Sequence, residues 1–312
     1  MPPTALPIAL PIVSLIVSQW RRSGRPAAAA SPARWTLRMT KAVVVTDTQW
    51  DTYRYRVRSA AMVTPVIREL WLEPIGEVLP YRPGQYILFA DDRYAVPQRS
   101  YSVANAPRAD GRLSVLVTLV PGGRTSTWAH EISVYDEVSV EGPFGTFTTP
   151  DEATSPVLLL GAGSGLAPVR ALAEALLDPS RPEGAAGRRV TLFFSGRTAR
   201  DAIDRERFEE WCRNVPQFDY RLTCTRDARE QRHTRIPALL PGEFETLRGV
   251  EVFAAGPSGF VTACQAAAEP LGAATVDIRT EEFFTDPAPW YDTVPPIESA
   301  YGARAPMQEG SS

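Results

Sequence analysis

Four short stretches of this sequence carry residue types that bind phosphate or flat ring systems. Residues 157–168 read VLLLGAGSGLAP, an apolar run that breaks into Gly161, Gly163 and Gly165 and then into a proline suited to opening a helix. Glycines in that place let the amides of Gly163 to Leu166 face an anion at the positive end of a helix. EVFAAGPSGF repeats the theme with Gly256 and Pro257, and PGGRTSTWAHE sets two glycines, Gly123 the second, before Ser126 and Thr127 at an expected helix start. In QRSYSVAN, Arg99 and Tyr101 share one side of a strand by the period-two rule and Ser102 faces the other. Taken singly, a glycine loop is equally a tight strand-to-helix turn, and a cation beside an aromatic is equally a surface pair. One phosphate loop in each half of the chain, however, predicts two bound nucleotides.

The loop at 161–166 departs from the usual dinucleotide fingerprint. G-x-G-x-x-G requires its third glycine at position 166, which is Leu166, and an acid after the next strand to hold a ribose hydroxyl. The next apolar run, VTLFF at 190–194, ends instead in Ser195, Gly196 and Arg197. With Arg226 in CTRD after the third strand, and Arg235 in TRIPALL, the ribose region reads as neutral to positive. That leaves NADPH or NADH open as the nucleotide, with the charge leaning towards NADPH.

The elements that must position these residues change rhythm half-way along the chain. From about Arg54 to Phe147 the apolar residues recur with period two between Gly and Pro breaks, as in LSVLVTLV, where Leu113, Val115, Val117 and Leu119 share a face. This predicts a small antiparallel β-barrel over 54–151. Beyond it, apolar runs at 157–160, 190–194, 218–224, 250–254 and 274–278 alternate with helical spacing such as Val169, Leu172 and Leu176. Five such runs predict an α/β doubly wound parallel sheet over 152–283, with its ligand at the carboxyl ends of the strands.

Composition excludes several classes of function. The 312 residues are 44% hydrophobic with a net charge of −3 and no basic tract, so no nucleic-acid partner is expected. Three isolated cysteines and two histidines predict neither a disulfide framework nor a metal site, and read as ordinary residues of a reducing cytoplasm. Residues 1–38 contain LPIALPIVSLIV, which holds prolines and is too short to span a bilayer, followed by a low-complexity run. A disordered or mis-started arm ahead of Met39 is expected; a weak membrane-surface or partner-docking segment is the alternative. The proline-rich residues 284–312 read as a surface tail.

Several motifs in order resemble the ferredoxin-NADP reductase superfamily, in its branch of FAD-containing reductases that serve oxygenases and ferredoxins and lack an iron–sulfur domain of their own. QRSYS is similar to the R-x-Y-S flavin motif, PGGRTSTW to the G-G-x-x-S pyrophosphate loop and EGPFGTF to the G-P-x-G-x-F that closes the barrel. VLLLGAGSGLAP resembles the pyridine-nucleotide loop, SGRTARD the arginine motif after it, FAAGPSGF the C-G-P motif and RTEEF the end of the catalytic unit. The resemblance implies that Arg99 pairs with the pyrophosphate of FAD, Tyr101 packs on the isoalloxazine and Ser102 reaches its N5 edge. It implies that Gly123, Ser126 and Thr127 bind the pyrophosphate, and that Gly161, Gly163, Ser164 and Gly165 cradle the NAD(P)H phosphates. Arg197 would serve the same nucleotide, Gly256 and Pro257 would admit the nicotinamide, and Phe283, or Phe284, would lie over the other flavin face. Two positions depart from the pattern: Ala255 replaces the C-G-P cysteine and Thr118 stands where a lysine is frequent.

The resemblance therefore implies an NAD(P)H-dependent flavoprotein reductase that passes electrons through FAD to a separate acceptor: a ferredoxin, an oxygenase component or a small oxidant. The rival is a nucleotide-binding electron-transfer or regulatory subunit that works only inside a larger complex.

Overall fold

The computed structural model describes residues 51–229 and 233–283. The expected arm over 1–38, the tail over 284–312 and Phe284 lie outside the described residues.

The first half is six strands: β1 (Thr52–Met62), β2 (Ile67–Pro74), β3 (Tyr86–Asp91), β4 (Arg99–Ser102), β5 (Leu113–Thr118) and β6 (Glu137–Phe144). They pair antiparallel in the order β4-β3-β6-β1-β2-β5, and a bridge from Val103, just past β4, to Val115 of β5 brings the two outer strands together. The period-two residues of these strands build the interior: Tyr55, Val57, Leu70, Leu72, Ile87, Phe89, Leu113, Val115 and Val117 are fully buried together. Leu119 does not join them. β5 ends at Thr118, and Leu119, whose N–H is taken by the Val66 carbonyl, stands 40% exposed. One helix, α1 (Arg124–Glu131), lies between β5 and β6.

The second half is a parallel sheet of β7 (Val157–Ala162), β8 (Val190–Gly196), β9 (Phe218–Cys224), β10 (Glu251–Pro257) and β11 (Ile278–Phe283). Its order, β11-β10-β7-β8-β9, puts the first strand beside the fourth. Helices α2 (Leu166–Leu177) and α3 (Arg205–Asn214) pack on one face, and α4 (Ile236–Glu243) and α5 (Ser258–Ala268) on the other. Because α2 leaves β7 towards one face and α5 leaves β10 towards the other, a crevice opens between the carboxyl ends of those neighbouring strands. The expected strand at 274–278 is misplaced. Thr275–Asp277 is a single 3-10 turn and the strand follows it, because β11 is an edge strand whose IRTEEF sequence alternates half-buried and exposed residues and so contains no apolar run.

One apolar cluster spans both halves. Ile67, Ala104, Leu116 and Phe147 of the barrel are buried against Leu166, Val169, Leu172 and Phe253 of the parallel-sheet half.

Candidate functional site

The crevice between β7 and β10 is formed by backbone packed on backbone. A Cβ on Gly165 would fall 2.2 Å from the Ala255 carbonyl oxygen and 2.7 Å from the Gly256 Cα, so only glycine allows the two loops to meet. Gly161 is similarly constrained, its hypothetical Cβ lying 3.0 Å from Val169, which brings α2 close to the strand. Gly163, with φ +58°, begins the 3-10 turn Gly163–Gly165 that runs directly into α2. Pro257 is exposed at the mouth of the crevice and caps α5. Ala255, in the position where the resemblance expects a cysteine, is wholly buried in the core.

On the barrel side, α1 anchors the segment that leads into β4. Arg124 Nη2 donates to the Ala95 carbonyl at 2.9 Å and Thr125 Oγ1 to that of Pro97 at 2.5 Å, which holds Arg99–Ser102 beside the Gly122–Gly123 turn. Ser126 is buried and turned into this loop, where it accepts the Val120 N–H at 3.1 Å and reaches the Gly123 carbonyl at 3.1 Å. Thr127 is exposed. Tyr101 is half-buried with its ring edge-on to Phe89 at 5.8 Å, and burial pushes its phenol up to about 12 despite the nearby Arg99. Arg99 is half-buried on the same strand.

These two assemblies meet. Ser102 is buried and its hydroxyl donates to the Glu281 carboxylate across 179 residues of chain. Burial pushes the Glu281 carboxyl up to about 7, with the Ser102 hydrogen bond opposing the rise. Phe283, two residues on, shares the Glu281 side of β11 and pairs in register with Pro257. A second contact joins Thr118 Oγ1 at the end of β5 to Ser164 Oγ in the glycine loop after β7, at 3.0 Å. Thr118, noted in the sequence only as a departure from a lysine, thus touches the loop directly.

At the carboxyl ends of β8 and β9, Arg226 donates its backbone N–H to the Arg197 carbonyl at 2.7 Å, and both side chains are exposed. Asp201 folds back to accept the N–H of Thr198 at 2.9 Å and to pair with Arg197 Nη2 at 3.1 Å. Burial works against the Asp201 charge, yet the Arg197 guanidinium and the Thr198 amide hold its carboxyl below the usual range. Arg235 is exposed at the start of α4.

The two glycine loops also leave their backbone uncovered. Gly122 (φ +76°) and Gly163 (φ +58°) have nothing within 4 Å of where a Cβ would stand, so each loop presents bare backbone beside a helix start, as a pyrophosphate requires.

Two domain models match along the chain: an oxidoreductase FAD-binding domain over residues 66–149 and an oxidoreductase NAD-binding domain over 159–266. The chain pairs the FAD-binding and NAD-binding domains of a ferredoxin-NADP reductase-like oxidoreductase. The reductase is 27% identical over 237 residues to the reductase component 2 of terephthalate 1,2-dioxygenase from Comamonas, covering 74% of this chain and 68% of that one. It superposes on the Amycolatopsis cytochrome P450 reductase GcoB with TM-score 0.66 and 28% identity, over 75% of this chain and 70% of the other. The same fold is found in a ferredoxin NADP+ reductase from Neisseria gonorrhoeae solved with FAD and NADP, at TM-score 0.65 and 18% identity, covering 75% and 99% of the two chains. Among the described residues, no helix of the reductase is long and apolar enough to cross a membrane.

Proposed function

We propose that this protein is the electron-input component of a redox pair: it oxidises NADPH or NADH and delivers the electrons, through FAD, to an oxygenase component or a ferredoxin. The observation that carries the reading is the Ser102–Glu281 hydrogen bond, which joins the strand of the flavin motif to the last strand of the nucleotide domain beside the Gly165–Gly256 crevice. A flavin supplies what neither side chain nor nicotinamide can, accepting electrons as a pair and releasing them singly.

In this reading the barrel domain (54–151) holds FAD and the α/β domain (152–283) holds the nicotinamide nucleotide. Arg99 offsets pyrophosphate charge, with the Gly123 loop and Thr127 donating from the start of α1. Ser126, whose hydroxyl braces this loop, holds the same pyrophosphate with them. Tyr101 and Phe283 supply flat apolar faces that exclude water from the reacting edge. Ser102 presents a hydroxyl there, and Glu281, poised to ionise near neutral pH, fixes that hydroxyl and can exchange a proton with it. Gly161, Gly163, Ser164 and Gly165 orient the nucleotide phosphates, Gly256 and Pro257 leave room for the nicotinamide, and Arg197 and Arg226 flank the ribose. The acceptor is a separate protein docking at the exposed flavin edge, in keeping with the reductase components to which the chain is similar, and the pair works in the cytoplasm.

The decisive experiment is the absorbance spectrum of the purified protein, followed by anaerobic addition of NADH and NADPH in turn and by heat release and chromatography of the flavin. One noncovalent FAD, bleached by a nicotinamide nucleotide, is expected. Recovery of FMN, or a folded protein that retains no flavin, overturns the reading; bound FAD that neither nucleotide bleaches turns it into a non-catalytic subunit.

A further inference from the structure

Arg170 is a charged residue inside the apolar helix sequence LAPVRALAEALL, and it is 2% exposed. Its guanidinium crosses from α2 into the barrel. Nε donates to the Ala104 carbonyl at 2.5 Å, and Nη2 donates to Glu69 of β2 at 2.5 Å and to Ser114 Oγ of β5 at 2.9 Å. Nη1 turns the other way, to Asp204 at the start of α3, at 2.7 Å. Burial disfavours the charge, but the two carboxylates outweigh it and raise the guanidinium pKa further.

Such a group contributes little as adhesive. A buried ion pair roughly cancels its own desolvation, and the two halves are already joined by the apolar cluster of Ile67, Leu116 and Phe147 with Leu166 and Val169. Apolar contact tolerates sliding, whereas four directional hydrogen bonds fix one register. The register fixed here is a functional one. Ala104 lies two residues after Ser102, and Arg170 lies one helical turn after Leu166, where the nucleotide loop ends. The path from Ser102 through Ala104, Arg170 and α2 to Gly165 is therefore short and tied by a hydrogen bond between the two halves, and the Thr118–Ser164 contact closes it at a second point.

We propose that Arg170 is a positioning residue for the reduction step: by locking α2 to β2 and β5, it sets how closely the nucleotide loop approaches the flavin strand. The proposal rests on the functional reading above. Misplacing reacting groups by an ångström can cost about a hundredfold in rate while binding is little altered.

The test compares the wild type with Glu69→Gln, which keeps the shape and one acceptor but removes the charge, and with Arg170→Lys, which keeps the charge but loses the fork. In both variants FAD and nucleotide affinities should stay within about threefold of wild type. Anaerobic single-turnover bleaching by NAD(P)H should slow about tenfold or more, with weakened long-wavelength charge-transfer absorbance. Re-oxidation of dithionite-reduced protein by ferricyanide should be unchanged. In flavin-free protein, a Thr118→Cys/Ser164→Cys pair should close to a disulfide under mild oxidant, more slowly when Glu69→Gln is added. A lowered unfolding midpoint with bleaching rate and disulfide closure unchanged makes Arg170 a stability residue and overturns the proposal. If Arg170→Lys does not fold, Glu69→Gln alone decides. Wild-type protein that binds no flavin overturns the functional reading and this proposal with it, and shows itself before any variant is made.

Discussion

Replacing Glu281 by glutamine tests the site at its junction, with a magnitude set by one buried carboxyl. Burial raises the Glu281 pKa from its ordinary 4.5 to about 7, with only the Ser102 hydroxyl pulling it back down. A folded-state pKa above the unfolded one means that the fold prefers the protonated acid. Its contribution is thus fully present below pH 4.5 and is lost as the pH rises through about 7. The full difference is roughly 3 kcal/mol, of which roughly 2.5 develops between pH 5 and pH 8. Glutamine has the same shape and does not titrate, so every other ionising group cancels between the two proteins. Urea unfolding of the flavin-free wild type and Glu281→Gln at both pH values should show the wild type losing roughly 2–3 kcal/mol relative to the variant across that interval. Parallel stability curves would refute the reasoning, because they would mean that the carboxyl ionises freely in the folded protein. In the flavin-loaded protein, the same group should give single-turnover bleaching an apparent pKa near 7 that disappears in Glu281→Gln.

Three further outcomes follow from the geometry. Arg99→Ala should weaken FAD binding by about 1.5–3 kcal/mol, read by fluorescence titration of the flavin-free protein, and undiminished affinity removes Arg99 from the pyrophosphate site. Gly165→Ala places a Cβ 2.2 Å from the Ala255 carbonyl, so the β7 and β10 loops must part. A stability loss of about 1–3 kcal/mol and a raised KM for both nucleotides are expected, and a variant of wild-type KM would mean that the crevice is not where the nucleotide lies. Arg226→Ala should raise KM for NADPH about tenfold and leave that for NADH nearly unchanged, since NADH has no 2′-phosphate to lose a partner; an equal loss for both would assign Arg226 to the adenosine or to the fold.

What the sequence made legible was whatever repeats locally. LSVLVT and VLLLGA announce their strands because burial recurs along them at a fixed period, and the glycines at 161, 163, 165 and 256 stand out because close backbone approach admits nothing larger. IRTEEF was misplaced because an edge strand flanked on one side only can keep its charges. Asp201, the partner of Arg197, has a signature of a different kind: the turn through Thr198 brings it back, which the spacing T-x-x-D spells as a capping box. Glu281 had no local signature. In RTEEF it is one of two adjacent acids, and only the parallel pairing of β11 with β10 turns it, rather than Glu282, onto Ser102. Arg170 did carry a signal: an arginine among Leu166, Val169, Leu172 and Ala173, on a face the helical period assigns to the core, must be buried with it. A charge there needs opposite charges from another element, and the two that meet it come from β2 and from the turn before α3. In this chain the charged residue on the apolar face of α2 therefore marks where the two halves are hydrogen-bonded to each other, which a motif match to either half alone does not reveal.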